Sequence, residues 1–365
     1  MGVKLQNIIR REVLGYPQLA GKIIAVDAPN IIMSLFNFTR RNPDGTNAEL
    51  ILDRTQRPIS HLYGLLYRLN FLYNKNAFPI FCFDGRISEL KRIITKDQLN
   101  DFRFIQKWYE SALKSGDREK TKQIALSKEY LWQNIIVESK QLLGALGVPY
   151  MEAPASAESQ CSYLVKKRVA NYSNSQDFDS LLFGCPSLIQ NLTKSLRRKV
   201  QGKWTYNKVT PFLINLAKNL KSLKINQFQL VDIGFLIGTD YFPAIKGIGP
   251  KKALNLIKKH QQVEKVITEE RKQYDFTQLT PEIVKNVRKI FLFPEINNSV
   301  SNFYWNLPNK ASTLTLLCEN HHLNKERVRN NMDKLKLNYQ KCKKYHQSMK
   351  KKRGSVQLTL DTVMR

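Results

Sequence analysis

Two short apolar runs, KIIAVD (22–27) and FPIFCFD (78–84), decide the fold class of this chain. Continuous apolar runs of this length are typical of strands buried in a parallel sheet. Between them, LYGLLYRLNFLY (62–73) has the apolar spacing of a helix. A strand, a helix and a strand at this spacing predict a βαβ unit, and therefore an α/β fold in which helices flank a central, mostly parallel sheet. RVANYSN (168–174) is a weaker third strand candidate.

Most of the remaining chain has helical patterns. Residues 86–130 are highly charged and interspersed with aromatics. They predict either a pair of solvated helices or a basic helical insertion that touches a substrate, and charge runs alone favour the solvated pair. Helices are also expected within 135–147 and 225–238, and a Gly-x-Gly turn leads into another within 245–259. From 341 onward, a lysine run without apolar periodicity predicts a flexible extension.

The charge balance indicates the kind of partner. The 365 residues include 59 Lys and Arg against 30 Asp and Glu, a formal net charge of +29. Such an excess attracts polyanions and speeds their encounter with the protein. Nucleic acid is therefore the favoured partner, ahead of an anionic membrane surface or a role in solubility alone.

The five cysteines are scattered and form no CxxC pair, which argues against a zinc site and a disulfide framework. We therefore expect an intracellular protein in a reducing compartment: cytoplasm or nucleoid if archaeal, nucleus if eukaryotic. No stretch near 20 apolar residues and no apolar signal core is found, so we expect no membrane partner.

Two aspartates end the two main strand candidates. Asp27 and Asp84 each stand at the carboxyl end of a predicted parallel strand. Ligands of open α/β sheets bind at that edge, although a lone aspartate there is commonly only a turn or helix cap. Their significance depends on the other carboxylates of the chain.

Further carboxylates complete an acidic set. Asp177 and Asp179 are two apart in QDFDSLLFG, and in an extended segment such residues point the same way. Glu158 lies in APASAESQ and Asp240 in GTDY. Oxygen ligands alone suit Mg²⁺ or Mn²⁺ and not zinc. Two such ions together can stabilise both the attacking and the leaving oxygen of a phosphodiester displacement.

Five segments carry a resemblance to a known family: VDAPN, FCFDG, EAPASAESQ, QDFDSLLFG and IGTDYFPAIKGIGPKKAL. In order and spacing they resemble the signature blocks of flap endonucleases, most strongly the archaeal members, over essentially the whole chain. The resemblance implies a PIN-like 5′ nuclease fold with a helical arch and a helix-hairpin-helix DNA-binding element. It also implies a monomer that cleaves 5′ flaps at branched DNA by two-metal hydrolysis in replication and repair, including Okazaki fragment processing and base excision repair, and that also acts as a 5′–3′ exonuclease.

The resemblance implies a role for each matching residue. Around one Mg²⁺, with Mn²⁺ as a substitute, it places Asp27, Asp84 and Glu158. Around a second ion it places Asp177, Asp179 and Asp240, with Glu158 near both. Lys91 matches the catalytic arch lysine that contacts the scissile phosphate. DNA-binding positions are Gly2 at the processed N-terminus, Arg40, Arg68, Gly247, Gly249, Lys251 and Lys252. The family's helix-hairpin-helix often also holds a K⁺ ion on its carbonyls.

The same resemblance divides the chain into regions. They are an N-terminal nuclease region (1–100), a helical arch (86–130), an internal nuclease region (135–270) with the helix-hairpin-helix at 240–260, a C-terminal helical part (271–340) and a flexible basic tail (341–365). Within that tail, QLTLDTVM (357–364) resembles a sliding-clamp binding motif through Gln357 and Leu360. Val363 and Met364 replace its usual aromatics, and an ordinary disordered terminus is the alternative.

Three departures from the family pattern lie near one site. Ser156 stands where the family has a glutamate, Gln98 where it has a second arch arginine, and Met33 where it has a stacking aromatic. They favour an alternative from another class: a catalytically weakened paralogue that binds branched DNA and the sliding clamp. The six carboxylates favour the enzyme. A 5′–3′ exonuclease or gap nuclease with the same chemistry is a third reading, against which the clamp-like tail and the compact length weigh.

Overall fold

A mixed seven-stranded sheet forms the centre of the protein. The computed structural model describes residues 2–36, 51–85, 96–193, 195–200, 203–299 and 303–363. The sheet strands, in chain order, are β1 (Glu12–Val13), β2 (Ile23–Asp27), β3 (Phe78–Phe83), β4 (Tyr150–Glu152), β5 (Tyr172–Asn174), β6 (Ser187–Gln190) and β9 (Phe212–Asn215). Their order is β1-β9-β6-β5-β2-β3-β4, and the five strands from β6 to β4 are parallel. This confirms the mostly parallel α/β sheet. Two further strands, β7 (Ser195–Val200) and β8 (Lys203–Lys208), form a separate antiparallel hairpin.

Helices cover the sheet and extend the chain beyond it. In chain order they are α1 (Ala28–Phe36), α2 (Ser60–Asn74), α3 (Lys96–Lys114), α4 (Arg118–Ala125), α5 (Lys128–Ala145), α6 (Ala157–Lys166), α7 (Asp179–Leu182), α8 (Leu216–Leu223), α9 (Gln227–Ile237), α10 (Pro250–His260), α11 (Val263–Glu269), α12 (Pro281–Leu292), α13 (Lys310–Leu314) and α14 (Lys325–Val363). A π-helical turn, Thr315–Asn320, separates the last two. The helices expected from apolar spacing are all present. Of the charged stretch 86–130, residues 86–95 lie outside the described residues, and the rest forms α3, α4 and the start of α5.

The third strand is shorter than the sequence indicated. Only Tyr172–Asn174 is extended. Arg168 has a φ of 59°, and the amides of Val169 and Ala170 both donate to the carbonyl of Leu164. The first half of the predicted strand therefore closes the end of α6, because these amides are used to cap a helix and cannot join a sheet.

The expected flexible extension does not begin at residue 341, because residues 341–349 belong to a helix that packs on the core. Helix α14 runs without a break to Val363. Cys342 is fully buried, and the ring of His346 lies 4.4 Å from that of Phe78. With Leu335 and Tyr339, which are also buried, these residues repeat at spacings of three and four, the pattern of a helix face that packs on a core. No helix in the described part of the chain is long and apolar enough to span a membrane.

Candidate metal centre and DNA-binding elements

Three carboxylates meet at the carboxyl edge of the sheet. Strands β5, β2 and β3 are parallel neighbours, so their ends lie side by side. Asp27 is the last residue of β2, Asp84 follows β3 directly, and Asp177 comes three residues after β5 ends. We call these three residues the acidic edge. The placement agrees with the prediction that strand ends would bring Asp27 and Asp84 together.

Asp27 is the buried centre of the acidic edge. It is 3% exposed, and it accepts hydrogen bonds from the Ser175 hydroxyl (2.7 Å) and the Asn30 amide (3.3 Å). Burial, followed by the nearby charge of Asp84, raises the pKa of Asp27 to about 7, and the charge of Asp177 acts in the same direction. The two hydrogen bonds only partly offset this rise. Like charges concentrated in a buried place favour either a proton or a cation.

Asp177 is held by residues that sequence reasoning missed. The Asn30 side-chain amide donates to Asp177 Oδ2 (2.8 Å), and the Asn30 Oδ1 accepts from the Gln176 amide (2.9 Å). Asn30 ends the VDAPN segment, three residues after Asp27 at the start of α1, so its position in the sequence could have indicated this role. Gly2 lies directly against this carboxylate, since a β-carbon at Gly2 would come within 2.7 Å of Asp177 Cβ. Only glycine fits so close to the acidic edge at this position.

Asp179 differs from Asp177 in both conformation and partner. It is the first residue of α7 and is 2% exposed. Its Oδ1 accepts the Val3 amide at 2.6 Å, which fastens the N-terminal segment to the site. The segment that carries the two aspartates is not extended as the sequence suggested, because the chain turns into a helix between them.

Asp84 is hydrogen-bonded to the start of α6, the helix that carries Glu158. Asp84 Oδ1 accepts the Ala157 amide at 2.7 Å, and Glu158 is the next residue. Ser156 is the N-cap of α6, because its hydroxyl oxygen accepts the Ser159 amide at 3.2 Å. The residue that replaces the family's glutamate therefore has a local structural role at a helix start.

Asp240 lies in the turn after α9, between the bridged residues Thr239 and Phe242. Helix α9 packs against α7, the helix that begins at Asp179. Among the residues that the structure describes, no three His, Cys, Asp or Glu side chains form a ready-made ligand group. The carboxylates are instead held singly by hydrogen bonds from neighbouring backbone and side-chain groups.

The Gly-x-Gly turn precedes a helix as predicted. Gly247 has a φ of 83°, which favours glycine, and Gly249 is the N-cap of α10. Lys251 is exposed at the helix start. The ammonium group of Lys252 donates to the Gly247 carbonyl (3.0 Å) and lies 5.3 Å from the centre of the Tyr274 ring. Lys252 thus stabilises the turn itself, while Lys251 remains open to a phosphate.

Arg68 links helix α2 to Ser34 of α1 and to Thr193 after β6. Its guanidinium group donates to the hydroxyls of Ser34 (3.1 Å) and Thr193, and burial lowers its pKa to about 10. Met33 is 41% exposed on the adjoining helix α1. Lys91 and Arg40 lie outside the described residues. Gln98 lies in the first turn of α3, and Gln357 and Leu360 lie near the end of α14.

Comparison with known proteins defines the class. The family model "XPG I-region" matches residues 147–240, the part of the chain that carries Glu158, Asp177, Asp179 and Asp240. A flap endonuclease 1 structure from Methanococcus jannaschii has a TM-score of 0.71 and 27% sequence identity, with 93% of this chain and 99% of that chain covered. The sheet, its acidic edge and these matches define an XPG-type nuclease fold.

Curated relatives then give the family. Flap endonuclease 1 of Staphylothermus marinus is 36% identical over 92% of this chain and 94% of its own length. Flap endonuclease 1 of Nanoarchaeum equitans is 37% identical over 92% and 95%, respectively. The chain belongs to the flap endonuclease 1 family, which confirms the resemblance to archaeal members drawn from the five sequence segments.

Nucleases of this family generally depend on divalent metal ions. The residues present fit such ions, since the donors at the acidic edge are all carboxylate oxygens, and burial together with the neighbouring charge of Asp84 raises the pKa of Asp27.

Proposed function

We propose that this protein cleaves 5′ flaps at branched DNA junctions by Mg²⁺-dependent phosphodiester hydrolysis, as a nuclease of replication and repair. The observation that carries this proposal is the acidic edge, where burial, followed by the nearby charges of Asp84 and Asp177, raises the pKa of Asp27 to about 7. The weakened-paralogue alternative is not favoured, because the chain keeps six carboxylates and matches flap endonucleases over 92% of its length.

Two ions, Mg²⁺ or Mn²⁺, would be held by the carboxylates assigned above: Asp27, Asp84 and Glu158 for one, and Asp177, Asp179 and Asp240 for the other. When bound, such ions supply positive charge that stabilises the attacking and leaving oxygens of the phosphodiester.

The chain's own residues orient this centre. Ser175 and Asn30 fix Asp27 and Asp177 by hydrogen bonds, so that each carboxylate keeps one orientation. The Val3 amide does the same for Asp179, and the missing β-carbon at Gly2 lets the N-terminal segment lie directly against Asp177. We assign Lys91 to stabilise the developing charge on the scissile phosphate.

Duplex DNA would be held away from the metal centre. Gly247, Gly249, Lys251 and Lys252 present a helix start and positive charge to a phosphate. Arg68 and Arg40 would contact the backbone nearer the acidic edge. The proposal includes a K⁺ ion at the Gly-x-Gly turn, 5′–3′ exonuclease activity and a monomeric state. It also includes sliding-clamp binding through Gln357 and Leu360.

Cleavage of a labelled double-flap DNA tests the proposal. Asp179→Asn keeps an oxygen for the Val3 amide but removes the charge, so the fold is retained and cleavage should fall by on the order of 10²-fold or more. Asp333→Asn is the matched control, because Asp333 is an exposed carboxylate paired with Lys310. If Asp179→Asn cleaves like Asp333→Asn, or if chelation of Mg²⁺ leaves the rate unchanged, the proposal is wrong.

A further inference from the structure

A second set of charged side chains is buried away from the strand ends. It lies where the segment 51–59, the start of α2, helix α5 and the turn after the π-helical segment meet. We call its five members the His321 cluster: Asp53, Arg57, His61, Glu138 and His321. His61, His321 and Asp53 are 0%, 1% and 8% exposed. Charged groups this deeply buried require close partners.

Both ring nitrogens of His321 face carboxylates. Nδ1 lies 2.9 Å from Asp53 Oδ2, and Nε2 lies 3.3 Å from Glu138 Oε1. A neutral imidazole has a single N–H, so it can donate to only one of two acceptors, whereas the imidazolium form donates to both. Burial lowers the pKa of His321, but the interactions with Asp53 and Glu138 outweigh it and raise the pKa above its usual value.

The charges of the cluster balance only when His321 carries a proton. Two carboxylates then face two cations, because Arg57 donates to Glu138 Oε1 at 3.2 Å and its Nε lies 3.5 Å from Asp53. His61 Nε2 lies 3.2 Å from Glu138 Oε2, but burial lowers the pKa of His61, which therefore stays neutral. A neutral His321 would leave one buried negative charge without compensation.

The cluster fixes a turn that seats helix α3. Asp53 Oδ1 accepts from the Thr55 amide (2.8 Å), the Thr55 hydroxyl (2.7 Å) and the Arg57 amide (2.9 Å). The carbonyl of Thr55 in turn accepts the hydroxyl of Tyr109 at 2.7 Å. Tyr109 is 4% exposed and lies in α3, one of the helices of the proposed arch. A continuous chain of contacts thus runs from His321 to α3.

We propose that His321 is a positioning residue of this nuclease: held as a cation between Asp53 and Glu138, it fixes the 53–57 turn on which Tyr109 seats α3, and so holds this helix in place for flap DNA. The inference rests on the proposed flap cleavage for its functional part. Its structural part concerns protonation and the seating of α3, and it stands on separate measurements.

Ring ¹⁵N NMR of the full chain tests protonation directly. At about pH 7.5 an ordinary histidine, with a pKa of about 6.5, is roughly nine-tenths neutral. We expect both ring nitrogens of His321 to carry protons at this pH, and the exposed neighbour His322 provides the comparison spectrum. A spectrum in which His321 is neutral at about pH 7.5 overturns the proposal, whether or not the protein cleaves DNA.

Flap cleavage and proteolysis test the consequence. His321→Gln should raise KM for a 5′-flap DNA by about tenfold, change kcat by less than about threefold, and speed tryptic cutting within 86–130. His322→Gln is the matched control and should resemble the wild type. Tyr109→Phe removes the hydrogen bond to the Thr55 carbonyl and should reproduce the KM increase with His321 still protonated.

The pH profile separates positioning from general loss of structure. Because the pKa of His321 is raised, the wild-type KM should stay low above the ordinary range of a histidine and rise only as the pH passes the folded-state pKa. His321→Gln should show a high KM throughout, and His321→Lys, which keeps a positive charge, should restore a low KM at alkaline pH. Equal KM values for His321→Gln and His322→Gln, in a wild type that cleaves flaps, contradict the proposal. A wild type that cleaves no flap overturns the proposed function, and the NMR and proteolysis results then decide the structural part alone.

Discussion

The acidic edge and the His321 cluster both gather carboxylates in the protein interior, yet the pKa values shift in opposite directions. At the acidic edge, burial and Asp84 raise the pKa of Asp27, and none of its dominant influences is a cation. In the His321 cluster, the pKa of Asp53 and that of Glu138 are lowered, because hydrogen bonds from His321 and its neighbours outweigh burial. In the His321 cluster the chain supplies the cations that neutralise the buried carboxylates, and these residues stabilise the fold. At the acidic edge the described residues supply no cation among the main influences on Asp27, and these carboxylates suit a metal cation from outside the chain.

The largest expected effect is the loss of activity when the excess charge is removed. Asp27→Asn should reduce flap cleavage by on the order of 10²- to 10³-fold. The same change should leave the thermal midpoint of metal-free protein unchanged or raise it, because a buried repulsion is relieved. Cleavage rates and calorimetric melting in a chelator check both parts. A large fall in melting temperature would place Asp27 with the structural carboxylates.

Removing a balanced carboxylate should act in the opposite way. Glu138→Gln leaves Arg57 and His321 with one carboxylate between them, and the free energy of unfolding should fall by about 3 kcal/mol. Where the variant remains folded, kcat should stay close to the wild-type value. Denaturant unfolding measures the loss. Retained stability together with a kcat as low as that of Asp27→Asn would reverse the assignment of the two regions.

The pH dependence of stability sharpens the contrast. Because the pKa of His321 is raised in the folded protein, its contribution to the free energy of unfolding is complete below the unfolded-state pKa of about 6.5. This contribution is lost as the pH rises through the folded-state pKa. The lowered pKa of Asp53 means that its contribution is present above about pH 4 and is lost on acidification. His321→Gln should therefore lower stability by about 2 kcal/mol near pH 6 and by less near pH 9. A pH-independent difference would contradict a protonated His321.

Binding of duplex DNA should depend on charge outside both regions. Lys251→Ala with Lys252→Ala should weaken binding and reduce the slope of log K against log salt by up to about two units. Lys252 also donates to the Gly247 carbonyl, so its removal changes the turn as well as the charge. Lys251→Ala alone removes a charge without that contact, and it therefore measures the electrostatic part of the loss in DNA binding. Lys140→Ala with Lys310→Ala removes the same charge from two ion-paired positions and should have a smaller effect. Equal slopes in the two double variants would remove α10 from the DNA interface.

The smallest expected effect belongs to Ser156→Glu. An added carboxylate beside Glu158 should lower the Mg²⁺ concentration for half-maximal cleavage, because two divalent ions repel each other less in a more negative site. The structure adds an opposing cost, since Ser156 caps α6 and its loss should destabilise the protein by about 1 kcal/mol. Mg²⁺ titrations of cleavage and thermal melts, both done on wild type and variant, separate the effect on metal requirement from the effect on stability. An unchanged or higher Mg²⁺ requirement contradicts the missing-carboxylate account.

The sequence predicted the parts of the site that depend on local pattern. The apolar runs that end at Asp27 and Asp84 are read directly from strand periodicity, and parallel pairing then brings both aspartates to one edge. It did not predict the His321 cluster, since Asp53, Glu138 and His321 are far apart in the chain and no periodicity relates them. The predicted extended conformation was also wrong at Arg168 and between Asp177 and Asp179. Tertiary contacts set the left-handed conformation of Arg168 and the start of the short helix at Asp179.

The most direct measurement of the difference between the two regions is divalent metal binding without DNA. Calorimetric titration with Mg²⁺ or Mn²⁺ should show two ions bound to the wild type, markedly weaker binding by Asp27→Asn, and wild-type binding by folded Glu138→Gln. Cleavage does not enter this test, so it examines the charge account alone. Equal metal affinity in wild type and Asp27→Asn, or an equal loss in both variants, would contradict it.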